Sequence, residues 1–263
     1  AIHDGCDIAI GVRFDSHNST DNLEGLSSAW RNRLSRYGNR ALNWVLGRQL
    51  YDPLSGFFAV SRDMASSSLA RLSGEGFKIL FDLLYHNRNS KVAQIQFHFG
   101  QRTYGESKLE PLVIWHLYCD LASKVLRYVV PARFIGFVTV GTFGAAIHFS
   151  TLYFLLFFGF DFWASQLGAT LTAMVNNFLI NNVLTYSDRR LLGKDLLVGM
   201  AYYGAASAIG IFANVGVASY VFTIQGGSTI ISSLSGVLVD LIWRYSVANR
   251  VIWNRRSGRS QGG

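Results

Sequence analysis

The spacing of apolar and polar residues divides this chain into a mixed first part and a largely apolar second part. Residues 7–12 form a short apolar run and residues 94–99 alternate strictly between apolar and polar side chains, so both runs predict strands. Between them, residues 28–50 place apolar side chains at helical spacing among several arginines, a pattern that suits a helix at a membrane surface. The first part is therefore predicted to be a mixed α/β segment.

Four long apolar stretches follow, each with about the 20 residues that a membrane-spanning helix needs. They are residues 134–158, 162–184, 196–222 and 229–253. The links at 159–161 and 223–228 contain no Lys or Arg, whereas basic residues flank the opposite ends of the stretches. By the positive-inside rule, those opposite ends and both termini are predicted to be cytoplasmic. The alternative is that the four stretches are core helices of a large soluble protein. That alternative does not explain why the basic residues avoid two of the links.

A second amphipathic helix is predicted from residue 108 to about residue 130, with leucines opposite Lys124 and Arg127. Because this helix leads directly into the first apolar stretch, we expect it at the membrane interface, with an ordinary core helix as the alternative. The predicted order is an α/β domain at 1–107, an interfacial helix and linker at 108–133, an all-α domain of four transmembrane helices at 134–253 and a basic cytoplasmic tail at 254–263.

Composition favours a membrane protein over a nucleic-acid-binding protein. Hydrophobic residues make up 50% of the chain and charged residues only 15%, below the fraction of about a quarter that is usual in soluble proteins. The formal net charge of +8 is then better matched to anionic lipid head groups and phosphorylated lipids than to nucleic acid. Cys6 and Cys119 have no partners at metal-ligand spacing, so neither a disulfide framework nor a zinc site is predicted.

One charged pair lies inside the fourth apolar stretch. Asp240 precedes Arg244 by four residues, one helical turn. An ion pair within the helix is one interpretation of this spacing. A role in holding the head group of a lipid-linked sugar is the other, because carboxylates at that depth are costly and commonly face protein or a water-filled cavity.

Three short polar runs in the first part carry candidate chemistry, each at a point where a strand or helix gives way to a loop. They are residues 10–13, 52–58 and 102–108. In the last run, Arg102 and Lys108 flank a glycine turn, so two cations and the hydroxyl of Ser107 can converge on one phosphate. A solvated basic turn is the alternative for this run.

Together these runs resemble a family 2 glycosyltransferase of the dolichol-phosphate mannosyltransferase type. The likeness rests on four motifs in the family's order: Gly11-Val12-Arg13, then Ser35-Arg36 with Asn39, then Asp52-x-x-Ser55-Gly56-Phe57, then Arg102-x-x-Gly105-x-Ser107-Lys108. Residues 134–253 resemble the GtrA-like four-helix domain that often follows such a catalytic domain, through Asn177-Phe178-Leu179 and Leu184-Thr185-Tyr186. The resemblance implies that residues 1–107 are the C-terminal part of a GT-A-like, Rossmann-like domain. Arg244 departs from the family, whose pattern has an uncharged polar residue there.

The resemblance implies transfer of a hexose, mannose or glucose, from a nucleotide sugar to a dolichyl or undecaprenyl phosphate at the cytoplasmic face of a prokaryotic cell membrane. Asp52 and Arg102 would be catalytic, and the groups that bind the phosphates or the lipid acceptor would be Arg13, Arg36, Ser55, Gly56, Ser107 and Lys108. Because the acceptor phosphate is already ionised, placement and charge neutralisation would supply most of the catalysis. A non-enzymatic GtrA-like protein that helps a lipid-linked sugar cross the membrane is the alternative.

The resembled family also binds a divalent metal, Mg²⁺ or Mn²⁺, through an Asp-x-Asp motif in an N-terminal half. No two acidic residues of this sequence have that spacing, and Asp4 and Asp7 are three positions apart. We therefore assign no metal ligand in this chain and expect the ligands in a preceding segment of about 100 residues. A remnant without transferase activity is the alternative, and the sequence makes no prediction of oligomeric state.

Overall fold

The computed structural model describes residues 2, 5–12, 26–69, 72, 78–96, 111–224 and 229–254. Contacts divide the chain into two compact units, Ala1–Lys108 and Leu109–Gly263. The buried hydrophobic residues form a core in each unit.

The first unit is built on a three-stranded sheet in the order β2-β1-β3. The central strand β1 (Ile8–Val12) pairs antiparallel with β2 (Phe58–Val60) and parallel with β3 (Val92–Gln96). All five residues of β1 are buried, and a strand pairs with each of its edges. The expected combination of strands and helices is confirmed for this part of the chain.

The predicted strands differ from the observed ones in detail. The run at 94–99 overlaps β3, which begins earlier, and its residues after Gln96 lie outside the described part. Ile95, expected on an apolar face, is 49% exposed. The sequence pattern does not predict strand β2, because three residues are too few to show a period of two.

Three helices accompany the sheet: α1 (Leu26–Leu46), α2 (Arg62–Ser68) and α3 (Ile79–His86). The face of α1 that packs on the core carries Leu42, Val45 and Leu46, which are all buried. Tyr37 and Trp44 fit the apolar positions of the helical pattern, yet they are 65% and 73% exposed. The predicted helix is confirmed, and its expected position at a membrane surface, where exposed aromatic side chains would lie, stays a prediction.

The second unit is mostly helical. Its helices are α4 (Pro111–Val125), α5 (Ala132–Phe157), α6 (Phe162–Ile180), α7 (Lys194–Ile224) and α8 (Thr229–Val247). Two of them continue as short π-helical segments, α6 through Asn181–Thr185 and α8 through Ala248–Ile252. Helix α5 packs along α6, and α7 packs along α8, so the unit contains two helical hairpins.

Helices occupy all four of the apolar stretches, but they do not all meet the requirements for a membrane span. Within the described ranges, Ala132–Phe157 and Lys194–Val221 are long and apolar enough to cross a bilayer. Helices α6 and α8 have only 19 residues each as regular α-helix and carry more polar side chains. The four-span topology with cytoplasmic termini therefore stays a prediction.

Helix α4 differs from the predicted amphipathic helix because the side chain of Lys124 is buried, not on a polar surface. Its ammonium group is buried and paired at 2.5 Å with the carboxylate of Asp120, one turn earlier. A lysine is rarely buried unless its charge is paired, and Asp120 provides that partner. The expected polar face with Lys124 is therefore wrong, while an interfacial position for α4 stays a prediction.

An aromatic cluster joins the two hairpins at one end of the second unit. Trp253 stacks on Tyr186 with ring centroids 4.2 Å apart and planes within 4°, and Phe178 packs against the same indole ring. The indole NH of Trp253 donates to Oδ1 of Asn182 at 2.9 Å. Asn182 also exchanges two hydrogen bonds with the backbone of Leu191. This network fixes the ends of α6 and α8 and the link between the hairpins.

Candidate functional site

The candidate site of the first unit lies at one edge of its sheet. Because β1 and β3 are parallel, their C-terminal ends meet at the same edge, and the antiparallel strand β2 begins there opposite Ile10. The segment 50–57, which leads into β2, is consequently held beside Gly11. Loops that follow the carboxyl ends of parallel strands are common positions for ligand sites.

Ser55 attaches this segment to the end of β1. Its hydroxyl is buried and donates to the carbonyl oxygen of Gly11 at 2.8 Å. The amide of Gly11 donates to the carbonyl of Phe57, also at 2.8 Å. The Ser55 hydroxyl is thus directed at the backbone, and its role in the described structure is to position the segment that contains Asp52.

Two asparagines of α1 hold the start of the same segment. Asn43 donates to the carbonyl of Leu50 at 2.8 Å and accepts from the amide of Leu50 at 3.2 Å. Asn39, one turn earlier, donates to the carbonyl of Tyr51 at 3.1 Å. Sequence reasoning missed Asn43, although asparagines four residues apart beside a polar segment are a signal that could have indicated it.

A side chain of β3 completes the attachment. The amide of Tyr51 donates to Oε1 of Gln94 at 2.8 Å. Segment 50–57 is therefore held from three directions, by α1, by β3 and by the end of β1. Such support from neighbouring elements limits the movement of Asp52, the carboxylate that the segment carries.

Of the predicted site residues, four lie in the described part of the chain. Asp52 and Ser55 are buried, whereas Gly56 and Arg36 are exposed. Arg36 precedes Asn39 and Asn43 by one and two helical turns, so it lies on the face of α1 that contacts segment 50–57. The four predicted residues that lie outside the described residues are Arg13, Arg102, Ser107 and Lys108.

The described residues do not provide a metal centre. Among them, no group of three or more His, Cys, Asp or Glu side chains is placed to hold a metal ion. The described residues therefore do not fit the divalent ion of the resembled family.

The charged pair of the second unit is formed as an ion pair within α8. Nε of Arg244 donates to Oδ1 of Asp240 at 2.7 Å, and Nη2 bonds the second carboxylate oxygen. Asp240 is only 6% exposed. The first of the two interpretations of this spacing is confirmed, and the second, a role in holding the head group of a lipid-linked sugar, stays a prediction.

Comparisons with known proteins find similar proteins for both parts of the chain. Residues 136–253 match the family described as "GtrA/DPMS, transmembrane domain". Over 254 residues, 96% of this chain, the sequence is 27% identical to the dolichol-phosphate mannosyltransferase of Pyrococcus furiosus, of which it covers 70%. It is also 36% identical over 89 residues to the dolichol-phosphate mannosyltransferase of Mycosarcoma maydis, a match that covers 32% of this chain and 30% of that protein. Both parts of the resemblance, the glycosyltransferase part and the GtrA-like part, are confirmed.

Proposed function

We propose that this membrane protein, in which a GtrA/DPMS transmembrane domain follows part of a glycosyltransferase domain, acts as a polyprenyl-phosphate glycosyltransferase. The donor would be a nucleotide sugar carrying mannose or glucose, and the acceptor would be dolichyl or undecaprenyl phosphate. The similarity to two dolichol-phosphate mannosyltransferases supports the class of reaction. The identity of the sugar and of the lipid belongs to the proposal.

The observation that carries this proposal is the attachment of segment 50–57 to the sheet edge. The bond between Ser55 and Gly11 attaches the segment that carries the buried residue Asp52 to the end of β1. The motif that resembles the family thus forms a supported element of structure. A group that orients a reacting sugar needs such support, because small displacements of a positioned substrate cost large factors in rate.

In the proposed reaction, an oxygen of the lipid phosphate attacks the anomeric carbon of the sugar. A carbon–oxygen bond to the lipid phosphate forms while the bond from that carbon to the nucleotide diphosphate breaks, with inversion at the carbon. The acceptor oxygen is already an anion, so no proton has to be removed from it. The chain's task is to place two anions side by side, which requires cations to offset their repulsion.

Arg36 is the described cation that suits this role, since it is exposed and shares a helix face with the residues that hold segment 50–57. Arg13, Arg102, Ser107 and Lys108 are proposed as further phosphate-binding groups on the basis of their motifs. Asp52 would orient the sugar or the loop beside it. Bidentate pairing with phosphate favours arginine at such positions.

A second candidate function is movement of a lipid-linked sugar within the membrane without chemistry. The observation that favours it is the ion pair Asp240–Arg244, because charged residues inside a membrane domain commonly mark ligand paths. Under this alternative, the motifs of the first unit would have no effect on sugar transfer.

The test compares sugar transfer by charge variants of the full-length protein in proteoliposomes. Labelled mannose or glucose is supplied as the nucleotide sugar, and the labelled prenyl phosphate is extracted. The double variant Arg102→Gln and Lys108→Gln should lose transfer, whereas Arg62→Gln, at an exposed arginine that begins α2, should retain it. Absence of transfer by the wild-type protein, together with translocation of the lipid-linked sugar that the double variant leaves unchanged, would favour the second candidate.

A further inference from the structure

One end of the second unit is rich in basic residues. The start of α5, the link between the two hairpins, the start of α7 and the segment after α8 meet there. These segments, which we call the basic end, carry five described basic residues: Arg133, Arg189, Arg190, Lys194 and Arg250. Their described acidic residues are Asp188 and Asp195. The basic end therefore has a net positive charge.

Asp188 joins two of these arginines. Nη2 of Arg133 bonds its Oδ2 atom, and Nε of Arg189 lies 3.5 Å from the same oxygen. One carboxylate can neutralise only one of two guanidinium groups, so these three side chains together keep one positive charge. Nη1 of Arg133 and Nη2 of Arg189 take no part in these contacts and can donate to a further acceptor.

Both arginines can be reached by a ligand. The side chains of Arg133 and Arg189 are 36% and 38% exposed. Nη1 of Arg189 also donates to Oδ1 of Asn254 at 3.4 Å, which gives this guanidinium a second contact on the protein. The two guanidinium groups therefore lie next to each other at the surface, with their positions set by the protein.

The link that carries Arg189 is held by the structure on both sides. The amide of Arg189 donates to the carbonyl of Tyr186 at 2.9 Å, and the ring of Tyr186 stacks on Trp253. Farther along the link, the backbone of Leu191 exchanges two hydrogen bonds with the buried side chain of Asn182. Because the protein itself orders the link, a ligand that binds there loses little affinity to the ordering of this segment.

Apolar side chains are exposed beside the basic residues. Leu192, between Arg190 and Lys194, is 57% exposed, and Leu197 in the first turns of α7 is 64% exposed. Cations beside exposed apolar side chains are typical of a protein surface at the boundary between lipid head groups and acyl chains. A ligand that lies wholly in water would leave these leucines uncovered.

We propose that the basic end binds the head group of an anionic phospholipid, with Arg133 and Arg189 as the main contacts. A phosphodiester carries a negative charge and only accepts hydrogen bonds, so it matches two guanidinium donors that keep a positive charge. The exposed leucines match the acyl chains. This inference goes beyond the proposed function and does not depend on the reaction, since none of these residues belongs to the motifs of the first unit.

Native mass spectrometry of the full-length protein in detergent tests the proposal. The probes are phosphatidylglycerol and phosphatidylcholine with identical acyl chains, and the dissociation constant of each is measured by titration. We expect tighter binding of phosphatidylglycerol, with a preference that weakens as the concentration of ammonium acetate rises. Equal binding of the two lipids would overturn the proposal.

Single variants locate the site. Arg133→Gln and Arg189→Gln should each weaken the binding of phosphatidylglycerol about fivefold, the effect of one basic residue near an anionic lipid surface. The matched control is Arg62→Gln, at an exposed arginine in the first unit, which removes the same charge and should leave binding unchanged. If the control weakens binding as much as the other two variants, net charge alone explains the preference and the proposal fails.

Asp188→Asn distinguishes a lipid site from an ion pair that serves only stability. Removal of the carboxylate leaves both arginines available to the lipid, so phosphatidylglycerol should bind about two- to fivefold more tightly. Lower thermal stability without tighter binding would show that the arginines serve Asp188 alone, and the proposal would be wrong. This variant also decides the question if the glutamine variants do not fold.

A prenyl phosphate has a head group of similar chemistry, and competition separates the two sources. A short-chain prenyl phosphate should displace phosphatidylglycerol no better than phosphatidylglycerol itself does. Displacement at a tenfold lower concentration, lost in Arg133→Gln, would assign the site to the prenyl phosphate and refute its assignment to a phospholipid. Sugar transfer is not measured here, so failure of this inference leaves the proposed function untouched.

Discussion

The hydroxyl of Ser55 donates a 2.8 Å hydrogen bond to the carbonyl oxygen of Gly11, which lies 44 positions earlier in the chain. Through this bond, a loop that resembles a glycosyltransferase motif is attached to the end of the central strand. Both residues are buried. The position of the loop therefore depends on a hydrogen bond between residues that are far apart in the sequence.

Replacement of Ser55 by alanine should lower both stability and sugar transfer. The change leaves the buried carbonyl of Gly11 without this donor and should cost about 1–3 kcal/mol of unfolding free energy. Thermal unfolding of the purified protein and the rate of sugar transfer are the two measurements. Ser66→Ala is the control, because that exposed hydroxyl bonds only carbonyls of its own helix. Equal effects of the two variants would contradict the positioning role.

The two asparagines of α1 should differ in the effect of their loss. Asn43 makes two hydrogen bonds to Leu50 in a partly buried position, whereas Asn39 makes one exposed bond to Tyr51. Asn43→Ala should cost about 1–3 kcal/mol and Asn39→Ala less than about 1 kcal/mol. Chemical denaturation, monitored by hydrogen exchange in peptides of the first unit, measures the loss of stability in both variants. A larger loss for Asn39→Ala than for Asn43→Ala would contradict the attachment of segment 50–57 by Asn43.

Tyr186 should tolerate loss of its hydroxyl. The hydroxyl is buried and has no hydrogen-bond partner among the described residues, while the ring stacks on Trp253. Tyr186→Phe keeps the stack and removes an unpaired polar group, so thermal stability should be unchanged or higher. Trp253→Leu removes the stack and the bond to Asn182, and it should be clearly destabilising by comparison.

The same tyrosine predicts a dependence of stability on pH. Burial raises the pKa of Tyr186 well above its ordinary value, so the folded protein keeps the phenol neutral. The unfolded chain ionises near pH 10, roughly the ordinary pKa of tyrosine. The contribution of the neutral phenol to the free energy of unfolding is therefore fully present below that pH. It declines as the pH rises toward the pKa of Tyr186 in the folded protein. The stability of Tyr186→Phe relative to wild type should accordingly increase above about pH 10, as urea unfolding at several pH values would show.

The ion pair of α8 should show strong coupling between its two residues. Asp240→Asn leaves the Arg244 charge without its partner inside the membrane domain, and removal of one member of a buried pair costs about 3–5 kcal/mol. The exposed part of Arg244 reduces that figure. The double variant Asp240→Asn and Arg244→Gln restores neutrality and should be more stable than Asp240→Asn alone. Thermal unfolding of the two single variants and the double variant in one detergent measures the coupling. If the losses of stability in the single variants simply add in the double variant, the two residues are not coupled.

Local patterns in the sequence determined a substantial part of this protein. The apolar run of β1 and the long apolar runs of α5 and α7 are continuous in sequence, so their elements could be predicted from composition and period. The pair Asp240–Arg244 was also predictable, because residues four apart on a helix are neighbours by geometry alone. The four ordered motifs indicated the family, since each of them is a short run of neighbouring residues.

Tertiary structure decided what depends on residues far apart in the chain. Strand β2 forms because it pairs with β1. In the second unit, helix α4 packs against α5, and the buried Lys124 of α4 is neutralised by Asp120. The exposed position of Trp44 likewise reflects which face of α1 the core needed to cover. The aromatic cluster around Trp253 arises from the packing of two hairpins, whose contacts are set by side-chain shape and not by local periodicity. The periodicity of the sequence therefore determined which segments form helices and strands. Packing between segments that are distant in the sequence determined which side chains come together.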